Sequence, residues 1–277
     1  MRGRAGRGSL LIILTIAAAL IALGRSRGEK ISIFSWHAKT VNEEEMESLF
    51  RVMERLGASR VYQNFDIDQP SCEREKFWQT AKDKEYEVYY LCGDPKWSFA
   101  SRHHRIAEAV WEAESLRKES FGTLKGIVFD VEPYVLEEWK RGADELMDSY
   151  TASMEYACQS ASAYGLEVIL CIPNFYDNHY EKELEFLIRD CCDAVAVMNY
   201  TKRDPQEKIR QEAALAQEYG KKLIHISEVK EGDDGWVCGQ VEEIRAAWKR
   251  ILAEYPGLEL EFSYHYLDPL MEAYGRE

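Results

Sequence analysis

The segment Gly126-Ile-Val-Phe-Asp-Val-Glu-Pro-Tyr134 ends an apolar run with two carboxylates two residues apart. In an extended chain alternate side chains share a face, so Asp130 and Glu132 would stand side by side. Close carboxylates resist ionising together, which raises one pKa and keeps a proton available near neutral pH. That arrangement suits general acid chemistry, with a protonated Glu132 beside an ionised Asp130 as its orienting partner. The plainer alternative is a solvated pair at a strand end, or acids at the start of a helix.

What must position such a pair is legible in the spacing of the rest of the chain. Eight apolar, β-rich runs occur: Ile31–Trp36, Arg60–Phe65, Glu87–Cys92, Gly126–Val131, Leu166–Ile172, Asp193–Asn199, Lys222–Ser227 and Leu258–Tyr264. Their starts are 29, 27, 39, 40, 27, 29 and 36 residues apart, and all but the last precede a stretch long enough for a helix. This is the cadence of repeated strand–helix units around a parallel sheet. Helices are expected at Glu43–Leu56 (Asn42 as cap, Gly57 after the end), Tyr150–Tyr164, Gln206–Tyr219 and Val241–Tyr255. Eight units, with no Gly-rich phosphate loop after the first strand, favour closure over an open nucleotide-binding sheet. The expected fold is a single (β/α)8 TIM barrel over residues 29–277.

In such barrels the reacting groups sit at the C-terminal ends of the strands. Read in order, those ends offer Trp36 and His37, Asn64 and Asp66, Asp94 and Trp97, Asp130, Glu132 and Tyr134, Asn174 and Tyr176, Asn199 and Tyr200, Glu228, and Tyr264, His265 and Tyr266. Flat rings that stack on pyranose faces, together with amides and carboxylates for hydroxyls, make a sugar site. Trp36, Asn64, Asp94, Trp97, Tyr134, Asn174, Tyr176, Asn199, Tyr264 and His265 are the candidate substrate contacts. Trp36 and Trp97 serve equally well as packing at the mouth, and His265 as a rim residue. There is no HExxH, Cys/His cluster or GxSxG, so no metal and no cofactor is expected.

The fourth-strand segment resembles the corresponding strand end of family 18 glycoside hydrolases, chitinases and related N-acetylglucosaminidases, whose motif is DxxDxDxE. Asp130 and Glu132 match its last two acids; Lys125 and Val128 stand at the two earlier ones. The resemblance implies Glu132 as general acid and Asp130 orienting the substrate's own acetamido group as nucleophile. Met198-Asn199-Tyr200-Thr201 is similar to the family's M-x-Y-D, which implies Tyr200 at the acetamido oxygen, with Thr201 replacing the acid. Glu132-Pro133 also resembles the Asn-Glu-Pro of the retaining-glycosidase clan, with Val131 at the Asn place. That version makes Glu228, at the end of the seventh run, the nucleophile, about 5–5.5 Å from the acid. Glu228 reads equally well as an ordinary loop acid.

Composition sets the partners. The first 28 residues hold five arginines and no acid, leaving 30 basic against 49 acidic side chains in the rest. Such a surface repels phosphate backbones, so nucleic acid is not an expected partner, whereas a carbohydrate polymer or oligosaccharide is. Residues 1–28 read as a signal peptide or signal anchor: arginines, then an uncharged run from Ser9 to Gly24. Sixteen helical residues span about 24 Å. Ala22-Leu23-Gly24 would serve cleavage, and Arg25 and Arg27 would flank a retained anchor. Both versions place the barrel outside the cytoplasm, secreted or anchored to the membrane. The seven cysteines are odd in number and lack ligand spacing, so they are expected as small buried hydrophobes.

Overall fold

The structure, a computed structural model, describes residues 30–230 and 236–276. The expected signal or anchor segment lies outside the described residues. Eight strands alternate with helices: β1 (Lys30–Ser35), β2 (Arg60–Gln63), β3 (Glu87–Cys92), β4 (Leu124–Phe129), β5 (Glu167–Pro173), β6 (Ala194–Met198), β7 (Lys222–Glu228) and β8 (Leu260–His265). Each pairs in parallel with the next, and β8 pairs with β1, closing the barrel. All eight expected runs are strands, with ends shifted by no more than two residues.

The helices are α1 (Glu43–Leu56), α2 (Ser71–Asp83), α3 (His103–Glu119), α4 (Ala143–Ser162), α5 (Glu181–Asp190), α6 (Arg210–Glu218), α7 (Val241–Glu254) and α8 (Leu267–Tyr274). α1 has the expected bounds and stops at Gly57, whose φ of 66° is the left-handed conformation that a glycine adopts without strain. Asn42 precedes α1 but does not cap it with its side chain; its Oδ1 accepts instead from Gln69. α4 starts seven residues before the expected Tyr150. Asp144 and Glu145 complement the dipole of its first turn, while Leu146 and Met147 are buried. The expected helix from Gln206 is a single 3-10 turn, Glu207–Ile209, followed by α6. The last strand is followed by a helix after all: α8 closes the eighth unit, and Arg51 and Arg55 donate to the carbonyls of Gly275 and Tyr274 at its end.

Strand parity divides the core. One set of alternating residues, including Val61, Phe129, Leu170, Val197 and Phe262, packs under the helices. The other set, including Phe34, Tyr62, Leu91, Val128, Cys171, Met198 and Ile226, fills the barrel interior. At the N-terminal end this inward parity turns polar. Arg60 pairs with Glu87 and Glu261, Tyr62 donates to Glu261, and Glu167 accepts from Tyr89 at 2.7 Å and Lys222 at 2.8 Å. Cys92, Cys171, Cys191 and Cys192 are buried and free, as expected, whereas Cys72 is exposed. Cys191 and Cys192 lie in the turn between α5 and β6 rather than in a strand.

Candidate active site

Asp130 extends β4 by one residue, its N–H donating to the Cys92 carbonyl at 2.9 Å. Gly93 makes that approach possible: a Cβ there would lie 1.9 Å from the Asp130 carbonyl oxygen. Val128 points into the barrel, so Asp130 continues the same parity and faces the mouth. Glu132 follows outside the strand, and Pro133 opens a one-turn 3-10 helix, Pro133–Val135, that carries Tyr134. The Tyr134 hydroxyl donates to Glu132 Oε2.

Asp130 and Glu132 line a cavity of about 350 Å³ at the C-terminal mouth, with Phe34, Trp36, His37, Tyr200, His265, Tyr266, Leu267 and Asp268. Tyr200 and His265 stand parallel, ring centroids 5.7 Å apart, and His265 meets the edge of Phe34 at 5.8 Å. His37 and Asp268 pair at 2.9 Å across the ends of β1 and β8. A larger hollow, about 600 Å³, opens between the starts of α4 and α5, and none of its lining residues is among the candidates. The strand-end cavity is the one that holds Asp130 and Glu132, at the end where such barrels place their reacting groups.

The pKa of Asp130 is pushed up to about 7. Burial is the main cause and the Glu132 charge the second. Asp130 Oδ1 is fully buried without a hydrogen-bond partner in the protein. Its inward neighbour one step down the strand is the apolar Val128, which has nothing to offer it. His265 is pushed down to about 4 by burial and by Lys230, so its ring is neutral, and its buried Nδ1 also lacks a protein partner. Burial, followed by the Asp130 charge, holds the Tyr200 phenol well above its usual range.

The other candidates divide by position. Trp36 also lines a second, smaller cavity together with Asn64 and Trp97. Asp94 is exposed and accepts from the Lys96 N–H at 2.8 Å, capping the turn Pro95–Ser98. Asn199 and Tyr264 are fully buried on the helix-facing side of their strands. Asn199 donates to the Pro205 carbonyl at 2.8 Å and accepts from Asn174 at 3.1 Å; Tyr264 packs on Trp248. Tyr176 is fully buried between Phe175 and Tyr150. Asn174, Tyr176, Asn199 and Tyr264, with Asp94 and Tyr134, do not line the cavity. Period-2 parity separates two of them from their neighbours, since Asn199 precedes inward Tyr200 and Tyr264 precedes inward His265. Glu228 ends β7 with inward parity, and its pKa is raised by burial against the opposing Lys230 charge. It does not line the cavity of Asp130 and Glu132. Phe34, Leu267 and Asp268 were not among the candidates; parity from Trp36 would have found Phe34. Among the described residues no cluster of His, Cys, Asp and Glu is arranged to hold a metal ion.

No protein-family model and no curated protein sequence matches the chain. Solved structures do. The glycoside hydrolase domain of PgaB (BpsB) from Bordetella bronchiseptica is 14% identical with a TM-score of 0.52, over 89% of this chain and 98% of that one. A chitinase from Chromobacterium violaceum is 14% identical with a TM-score of 0.56, over 89% and 98%. What these matches share with the chain is the barrel. A D-psicose 3-epimerase from Clostridium cellulolyticum, 13% identical with a TM-score of 0.52 over 85% and 84%, matches as well, so the likeness carries fold and not reaction.

Proposed function

We propose that the chain is a glycoside hydrolase-like barrel that cleaves an N-acetylated cell-wall or extracellular polysaccharide. Glu132 is the general acid, Asp130 orients the acetamido group of the substrate, and Tyr200 holds its oxygen. One observation carries this reading: Asp130, Glu132 and Tyr200 line a single strand-end cavity from which Glu228 is absent. A displacement using a protein nucleophile needs a second carboxylate across the scissile bond from the acid. The seventh-strand carboxylate of that mechanism, Glu228, does not line the cavity whereas Tyr200 does, which favours participation by the substrate. In mechanism, Glu132 gives its proton to the leaving glycosidic oxygen as that bond breaks. The acetamido oxygen attacks the anomeric carbon, and water then opens the cyclic intermediate with Glu132 taking the proton back. The Tyr134 hydroxyl on Glu132 Oε2 orients the carboxyl for both transfers. Residues 1–28 would export the barrel, which acts secreted or held at the membrane.

The test is turnover of N-acetylated polysaccharides by the wild type and by Glu132→Gln. Loss of a general acid is expected to lower kcat by about 10²–10⁴-fold. Unchanged hydrolysis would remove Glu132 from the mechanism.

A second reading is a non-catalytic carbohydrate-binding barrel. It is favoured by Val128, which leaves Asp130 Oδ1 without the polar neighbour that the resembled motif would supply. Glycan binding that survives Glu132→Gln, with no turnover of any polymer by the wild type, would select it.

A further inference from the structure

Trp36 lies between two cavities. One is the 350 Å³ space of Asp130 and Glu132; the other, about 160 Å³, opens where β2, β3 and α3 meet. Trp36 is 36% exposed, and its ring is shared by both linings. The smaller cavity is also tied to the catalytic strand through its floor. Gly93 lines it, and its Cα packs on the Asp130 backbone so closely that no side chain fits between.

The lining of the second cavity has the chemistry of a sugar subsite. Trp36 and Trp97 supply aromatic surface. Asn64 spends its amide N–H on the Leu91 carbonyl at 3.0 Å, which leaves Oδ1 as an acceptor. Arg105 pairs with the exposed Glu108, and Glu112 accepts from the Tyr90 hydroxyl at 2.8 Å. Donors and acceptors of both signs stand beside flat rings, which suits a ring bearing several hydroxyls. An apolar ligand would strand these polar groups, and the two glutamates disfavour a phosphate. The space accommodates one ring, not a chain.

We propose that Trp36 divides the binding cleft into two sugar compartments, so that the protein engages at least two linked sugar units. One unit sits at Asp130 and Glu132, and its neighbour sits against Trp97, Asn64, Arg105 and Glu112. The proposal rests on the carbohydrate reading above and deepens it by placing the second sugar unit: a single glycoside fills half of the site.

The experiment is titration calorimetry on the full chain carrying Glu132→Gln, with N-acetylglucosamine and N-acetylgalactosamine oligomers of one to six units. Affinity is expected to rise on the order of tenfold or more from one unit to two. Adding Trp97→Ala, or the exposed Arg105→Ala where the packing risk is smaller, is expected to erase that rise. Circular dichroism melts confirm that the variants are folded. Affinity independent of length, or a rise that persists in both folded variants, overturns the second compartment while leaving the carbohydrate reading intact. Binding of neither series, together with no turnover by the wild type, overturns the reading and the compartment together.

Discussion

At Asp130, desolvation and the nearby Glu132 charge act in the same direction, because both disfavour a second negative charge in the cavity. The carboxyl therefore keeps its proton up to about pH 7. An ionised Asp130 is what would accept the acetamido N–H, and that form grows as pH rises through this value. The kcat/KM of the wild type is accordingly expected to climb through an inflection near 7, and Asp130→Asn, which has no proton to lose, should lack that limb. A pH–rate profile of both proteins checks this; an inflection that persists in Asp130→Asn would assign it to another group. His265 contributes no such limb, since it is already neutral above about pH 4. The sequence announced the carboxylate pair; how far burial raises Asp130 depends on the packing around it, which the spacing of two acids does not carry.

Elements were more legible than residues. Eight runs of β-rich residues at near-regular spacing have few arrangements other than a closed parallel barrel, and their ends locate the mouth. The candidates that fell outside the cavity did so for element-level reasons. Asn199 and Tyr264 have the wrong parity, and Asp94 caps a turn. Helix starts were the weaker reading: α4 opens on Ala143-Asp144-Glu145 ahead of its first buried residues, Leu146 and Met147, and α6 opens on Arg210-Gln211-Glu212. α6 also carries Glu212, fully buried, with both carboxyl oxygens lacking a protein hydrogen-bond partner. Burial first, with the Asp177 charge assisting, pushes its pKa up to about 8. The unfolded chain releases this proton near the ordinary 4.5, and the native state holds it to about 8. Stability from this group is therefore full below about 4.5 and falls as pH rises toward 8. Glu212→Gln is expected to melt higher than the wild type at pH 8.5, on the order of 5 °C, with the gap closing at pH 4.5. Thermal melts at the two pH values test it, and a gap that does not change with pH would show that Glu212 is not buried as a neutral acid.

Across the whole molecule, the barrel keeps opposite ends for opposite tasks. The C-terminal mouth leaves polar atoms without protein partners, at Asp130 Oδ1 and His265 Nδ1. The N-terminal end spends its charges on one another. Arg60, on β2, reaches Glu261 on β8 past the intervening β1, and it also holds Glu87 on β3, so one side chain ties three strands where the barrel closes. Glu261 is fully buried, and besides Arg60 it accepts only from Tyr62 among the observed bonds of its side chain. Arg60→Met would leave that carboxylate buried with no cation, and breaking a buried pair from one side costs about 3–5 kcal/mol. At roughly 2–4 °C per kcal/mol for a domain of this size, the melting temperature should fall by about 10 °C. Replacing both partners, Arg60→Met with Glu261→Leu, should recover most of that loss, because what destabilises the single variant is the stranded charge and not the missing attraction. In both variants the folded fraction should retain wild-type kcat/KM, since the network lies at the end of the barrel opposite Glu132. Melts and kinetics on the two proteins decide the matter. A double variant no more stable than the single one would mean that the network closes the barrel by its geometry, and reduced kcat/KM in the folded protein would mean that the two ends are coupled.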